Sequence, residues 1–292
     1  MLSKSFFNLV ILTFLSGQLI GQSAFDQYLG SNTPQLFADG IISINGVQWN
    51  NAIDAQGNIY LTKQLATRSE LVFHEFNGSQ YLPKKVIPLD TNAIHSDIWV
   101  NSNGDHMMFM STLKSDNNDG FNLWESKRTN GEWSKPTEIH KSTSGDGGEA
   151  YPWLTDSGNL YFSVARDNSR NSDVYVLKNG ENEAQKLPAE INSDAFEGDA
   201  FVSSDESFMI FAAFDRPEGL GLSELFISFK TDGGWTTAKW MGSEINSEGY
   251  DGSPVISPDG RFLLFTSSRA SVGQEAIFFN HYIVEFDPND YR

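Results

Sequence analysis

A tight-turn signature between two short apolar runs recurs five times along this 292-residue chain, and its spacing constrains the fold more than any other feature. The clearest copy lies near the end, where Val255-Ile256 and Phe262-Leu-Leu-Phe265 flank Ser257-Pro-Asp-Gly260. Pro presets φ early in a tight turn, and Gly accepts the left-handed conformation that ends one. The segment predicts a β-hairpin. Four upstream segments share the design: Ile53 to Leu61, Val100 to Phe109, Leu154 to Phe162 and Val202 to Phe211. In the last of these Asp205-Glu206 replaces Asp-Gly, so that turn must manage without Gly. Turn centres fall at Gly57, Gly104, Gly158, Glu206 and Gly260, hence 47, 54, 48 and 54 residues apart.

Each period holds more than a hairpin. A third strand with a polar, apolar, aromatic start follows at Asn122-Leu-Trp124, Asp173-Val-Tyr175 and Glu224-Leu-Phe226. A fourth follows turns rich in Gly and Trp, Asn130-Gly-Glu-Trp133 and Asp232-Gly-Gly-Trp235. The return to the next hairpin repeats as Glu190-Ile-Asn-Ser193 and Glu244-Ile-Asn-Ser247, which we take as structural punctuation. A period near fifty residues with four strands predicts an all-β fold, a β-propeller of four-stranded blades. Five hairpins give five blades, and residues 25–44, with a strand near Gly40 to Ser43, can close the ring against the last blade.

The repeats resemble the TolB-like β-propeller repeat family, whose unit carries a Ser-Pro-Asp-Gly hairpin, a following Ser-x-Arg and an Asp-Ile-Tyr-like third strand. Ser257-Pro-Asp-Gly260 with Ser267-Ser-Arg269 matches in full, Leu154 to Arg166 with Asp173-Val-Tyr175 closely, and residues 45–75 weakly. The lead-in from Tyr28 to Ser43 also resembles the start of secreted bacterial propellers of this group. The resemblance covers essentially residues 24–292 and implies six blades, the alternative to five. It is specific for fold, because propellers host binding, scaffolding and several enzyme chemistries.

Residues 1–23 have the pattern of a secretory signal peptide: Lys4, an apolar run from Phe6 to Leu15, and the small residues of Gly21-Gln22-Ser23. The run is too short to span a bilayer, and no Cys follows it for lipid anchoring. Residues 24–292 are then expected as a single propeller domain, periplasmic or secreted, with no transmembrane anchor. The net charge of −18 disfavours nucleic acid, which requires clustered Lys and Arg, and favours a soluble monomer. With no cysteine, disulfides, thiolate metal sites and a cysteine nucleophile drop out. No phosphate loop, nucleophile elbow or dinucleotide fingerprint is present, and no cofactor or metal is expected. Ser115-Asp-Asn-Asn-Asp-Gly120 looks calcium-like but lacks the closing Glu of a helix-loop site.

Nine residues before each turn centre stand Gln48, His95, Glu149, Glu197 and Asp251; seven before stand Asn50, Asp97, Tyr151, Asp199 and Ser253. Strand alternation places both sets on one face with Ala52, Trp99, Trp153, Phe201 and Val255, opposite the apolar Ile53, Val100, Leu154, Val202 and Ile256. The returning strand ends beside this mouth at Lys114, Arg166, Arg216 and Arg269. Glu149 with Arg166, Glu197 with Arg216, and Asp251 with Arg269 should therefore be neighbours.

Two roles compete for this ring of His95, Glu149, Glu197, Asp251, Arg166, Arg216 and Arg269. One is a girdle of salt bridges locking the blades, which suits bidentate Arg. The other is a ligand-binding channel mouth for a protein partner or glycan. A carbohydrate-active hydrolase or lyase is the alternative function, and it requires two of Glu149, Glu197 and Asp251 to be free of Arg. A scaffold would instead expose an apolar patch away from the channel.

Overall fold

The computed structural model describes residues 23–114, 120–139, 147–166 and 171–292. All but the last residue of the expected signal peptide, and the stretch Ser115 to Asp119 of the calcium-like loop, lie outside the described residues. Five antiparallel sheets are arranged as the blades of a β-propeller. Blade 1 runs Gln48–Ile53, Ile59–Gln64, Ser69–His74 and Lys85–Val86 from axis to rim. Blades 2, 3 and 4 start with inner strands His95–Val100, Glu149–Leu154 and Phe196–Val202. Blade 5 runs Asp251–Ile256, Phe262–Ser267 and Asn280–Glu285. Its fourth strand is Gln35–Leu36, so the start of the described chain closes the ring.

The closing strand differs in place from the expected one. Leu36 pairs with Tyr282, and Phe37 N–H donates to the His281 carbonyl at 2.8 Å. The chain then bends through positive φ at Ala38 and Gly40, with Gly40 N–H bonded to Ser43 O at 2.9 Å. Gly40 to Ser43 is therefore a turn, in which Ile41 and Ile42 N–H both bond back to Ala38 O, at 3.1 and 2.9 Å.

Apolar faces of adjacent blades form the core. Val174 and Val176 of blade 3 pack with Met209 and Phe211 of blade 4, and Ile210 and Ile227 of blade 4 with Leu263 and Phe265 of blade 5. Most of these side chains are wholly buried, each contributing roughly 1.5–3 kcal/mol of transfer free energy.

The turn without Gly has a physical explanation. Glu206 takes φ of 58°, a costly conformation for a side chain with Cβ. Its carboxylate reaches blade 3, accepting from Thr155 Oγ1 at 2.8 Å, Asn159 Nδ2 at 2.8 Å, Tyr161 OH at 2.9 Å and Ser157 Oγ. Burial pushes this carboxyl's pKa up, but those donors outweigh it and hold it below the ordinary range. Local strain is exchanged for a blade-to-blade staple.

A second deviation recurs in every blade. Asn50, Asp97, Tyr151, Asp199 and Ser253 all have positive φ, between 50° and 63°. At each one the inner strand's register slips, so that two residues oppose one on the next strand. These are β-bulges. In blades 3 and 5 the second bulge residue is Pro152 or Pro254, tolerated because a bulged inner edge makes no ladder bond there.

Candidate functional site at the mouth and axis of the ring

The five bulges rearrange the faces that strand alternation predicts. Glu197 pairs with Ala213 and Val202 with Met209, and both partners lie on one face of their own unbroken strand. Gln48, His95, Glu149 and Asp251 relate in the same way to Ile53, Val100, Leu154 and Ile256. The mouth residues thus share the face of the apolar core positions, not that of Ala52, Trp99, Trp153, Phe201 and Val255. They are buried between blades as a result.

Glu197 is fully buried. It accepts from Ser193 N at 3.0 Å, Ser193 Oγ at 2.5 Å, and Arg216 Nε and Nη2 at 3.2 and 2.9 Å. Asp251, also fully buried, accepts from Ser247 N at 2.6 Å, Ser247 Oγ at 2.7 Å and Arg269 Nη2 at 2.9 Å. Arg216 stacks on Phe226 and Arg269 on Tyr282, each 4.8 Å from the ring centre, and each also donates to a backbone carbonyl, of Ile191 or Ile245.

The repeated Ile-Asn-Ser segments supply the rest of this frame. Asn192 brackets Val174, and Asn246 brackets Leu225, accepting from the backbone N–H and donating to the carbonyl. Each following Ser then caps the mouth carboxylate.

Arg166 binds Asp173, and reaches into the next blade to the carbonyls of Ser193 at 2.6 Å and Asp194 at 3.2 Å, lying 3.7 Å from Glu197. Glu149 is buried and partnered. His95 is buried with both ring nitrogens engaged: Nε2 lies 2.8 Å from Asp90 O and Nδ1 3.0 Å from Ser111 Oγ. Burial holds its pKa below the ordinary imidazole value.

The bulge residues form a second ring around the axis. Asp199 Oδ2 accepts from Tyr250 OH at 2.9 Å and from Ser253 N and Oγ at 2.9 and 3.1 Å, and the Tyr151 hydroxyl also donates to this carboxylate. Asp97 Oδ1 accepts from Ser96 Oγ at 2.7 Å and Trp49 Nε1 at 3.3 Å. Both aspartates are buried, and among the described residues neither forms an ion pair.

Burial, then the neighbouring Asp199 charge, push Asp97 up to about 7; burial likewise raises Asp199. A cavity of about 20 Å³, lined in part by Asn50, Asn51, Tyr151, Asp199 and Ser253, lies between these strands. The side-chain oxygens of Asn50 and Asn51 are buried without a hydrogen-bond partner among the described residues. The only sequence signal for this ring was its fixed offset from the turns. The bulges that aim it at the axis are a tertiary feature.

Among solved structures the chain resembles TolB from Acinetobacter baumannii at 12% identity and TM-score 0.50, over 83% of this chain and 55% of that one. It also resembles a gluconolactonase from Xanthomonas campestris (11% identity, TM-score 0.52, 87% of this chain and 95% of that one). An α-L-arabinofuranosidase from Podospora anserina matches at 12% identity and TM-score 0.50, over 89% and 96% of the two chains. The likeness is one of fold. No protein-family model matches the chain, and no curated protein does. The match spans about half the length of TolB. No helix among the described residues is long and apolar enough to cross a membrane.

Proposed function

We propose that this chain is an exported β-propeller that binds a protein partner through the mouth face of blades 4, 5 and 1. The observation that carries this is an apolar surface on that face. Leu222, 58% exposed, and Leu220 project from the loop after the second strand of blade 4; Ile277, 57% exposed, and Val272 project from the same loop of blade 5. Exposed Ile44 and Val47 flank Gly46, which pairs with Phe279. Leu222 N–H bonds Gly249 O, and the adjacent Tyr250 meets Phe279 edge-on at 5.4 Å, so the segments that carry these exposed side chains are linked side by side. Exposed apolar groups gathered in this way mark interaction surfaces in soluble proteins.

Glu218 and Glu275 are exposed on these two loops, and Glu248 on the connection between blades 4 and 5. The complementary partner is therefore apolar at its centre and basic at its rim. Glu197 with Arg216 and Asp251 with Arg269 act beneath this face as the frame that fixes the two loops. A hydrolase would need two free carboxylates there, whereas Glu197 and Asp251 are each bound to Arg. Export rests on the signal-peptide pattern around Lys4 and Phe6 to Leu15.

The test is capture from an envelope extract by the immobilised protein, beside a glycan array. The double change Leu222→Glu with Ile277→Glu should abolish capture, while Val86→Glu, at an exposed position on the outer strand of blade 1, should not. Capture that survives the double change, or a glycan signal lost in Glu197→Gln, would contradict the proposal.

A further inference from the structure

The axial ring poses an electrostatic problem that the fold alone does not solve. Asp97 and Asp199 are buried, act on each other as like charges, and among the described residues form no ion pair. A buried charge without compensation costs several kcal/mol even after relaxation. The side-chain oxygens of Asn50 and Asn51, more than nine-tenths buried, have no hydrogen-bond partner among the described residues and line the 20 Å³ axial cavity with Asp199. Orphaned buried acceptors are rare in folded proteins and mark the place of something that donates or carries positive charge. All four side chains offer hard oxygen atoms; three of them, Asn50, Asp97 and Asp199, are left-handed bulge residues repeated around the ring, and Asn51 adjoins one.

We infer that the axis of the ring binds one calcium-like divalent cation through the carboxylate of Asp199 and the amide oxygens of Asn50 and Asn51, with the nearby Asp97 carboxylate adding a second negative charge outside the cavity wall. A water molecule fits the cavity and satisfies an amide oxygen, but it leaves both negative charges uncompensated. A single divalent ion balances the two carboxylates and the two orphaned oxygens together. The small cavity disfavours magnesium, which retains several waters of its shell, whereas calcium accepts irregular cages of protein oxygens. Because the ligands come from blades 1 and 4 and the second charge from blade 2, no local sequence spacing announces the site. An ion there joins the blades at the axis, whether or not a partner occupies the mouth.

The test strips the purified protein with a chelator and follows melting temperature and binding heat in slightly alkaline buffer, with millimolar CaCl2 or MgCl2. Calcium should bind one per chain and raise the melting temperature, since a ligand that prefers the folded state stabilises it by mass action, and magnesium should do much less. Asp97→Asn and Asn50→Gly should each weaken calcium binding by at least about tenfold. Asn50→Gly keeps the backbone's positive φ while deleting the oxygen, so its fold is not at stake. No calcium response in the native protein would overturn the inference, with a proton shared by the aspartates as the remaining compensation. A calcium response unchanged in both variants would overturn it too, by placing the ion elsewhere.

Discussion

The protein holds two rings of buried acidic groups at neighbouring depths, and they are built in opposite ways. At the mouth, Glu197 and Asp251 are each met by a guanidinium, a serine hydroxyl and a backbone N–H. At the axis, Asp97 and Asp199 receive hydroxyl, indole and amide donors but no cation side chain among the described residues. Burial is similar, so compensation is what separates them. A carboxylate whose charge is answered within its own blade works as a structural part. A pair left unanswered, beside orphaned amide oxygens, is arranged for something that comes from outside.

The largest effect should come from breaking a mouth pair. Glu197→Gln leaves Arg216 in a mostly buried site without its counter-charge, which costs about 3–5 kcal/mol. Thermal unfolding should show this as a fall on the order of 10 °C for a domain of this size.

A second test uses a buried group that belongs to neither ring. His281 is fully buried with both ring nitrogens unpartnered among the described residues, and burial depresses its pKa to about 3 from 6.5. The unfolded chain then takes up the proton first, so stability is complete above pH 6.5 and is lost as pH falls toward 3. Between pH 6.5 and about 4.5 the histidine should account for roughly 2–3 kcal/mol of that loss. Equilibrium unfolding of His281→Leu across this range should show a correspondingly flatter profile. A steepness equal to that of the native protein would mean that the imidazole is charged in the fold.

The smallest effect carries the opposite sign and sharpens the comparison most. In chelator-treated protein, Asp97→Asn removes an uncompensated buried charge and should stabilise by on the order of 1–2 kcal/mol, read from the denaturant midpoint. The same acid-to-amide change would thus weaken the fold at the mouth and strengthen it at the axis. Equal destabilisation at both places would erase the distinction between the rings.

The sequence revealed unequal parts of this arrangement. The turn residues around Gly57, Gly104, Gly158 and Gly260 announce hairpins because turn geometry is local, and their period yields the blades. Glu197 with Arg216 and Asp251 with Arg269 were also legible, since hairpin register brings strand ends together. Faces were not. A left-handed residue at Asn50, Asp97, Tyr151, Asp199 and Ser253 shifts each inner strand by one position and exchanges its two sides. Only Asn and Asp there are residues that favour such a conformation, so Tyr151 and Ser253 gave no local sign of it. The closing strand was misplaced for a related reason: Gly40 and Ala38 bend the chain where the apolar run of Ile41 and Ile42 suggests extension.

The contrast between the rings is tested most directly by terbium luminescence, excited through the tyrosines and tryptophans near the axis. Tyr151 and Trp153 line the axial cavity, and Tyr250 donates to Asp199. Terbium should bind once per chain, luminesce by transfer from these rings, and be displaced by calcium. The signal should be lost in Asp97→Asn and kept in Arg269→Lys, which leaves the axis intact. A signal that persists in Asp97→Asn, or none in the native protein, would contradict the assignment of the axial ring as a cation site.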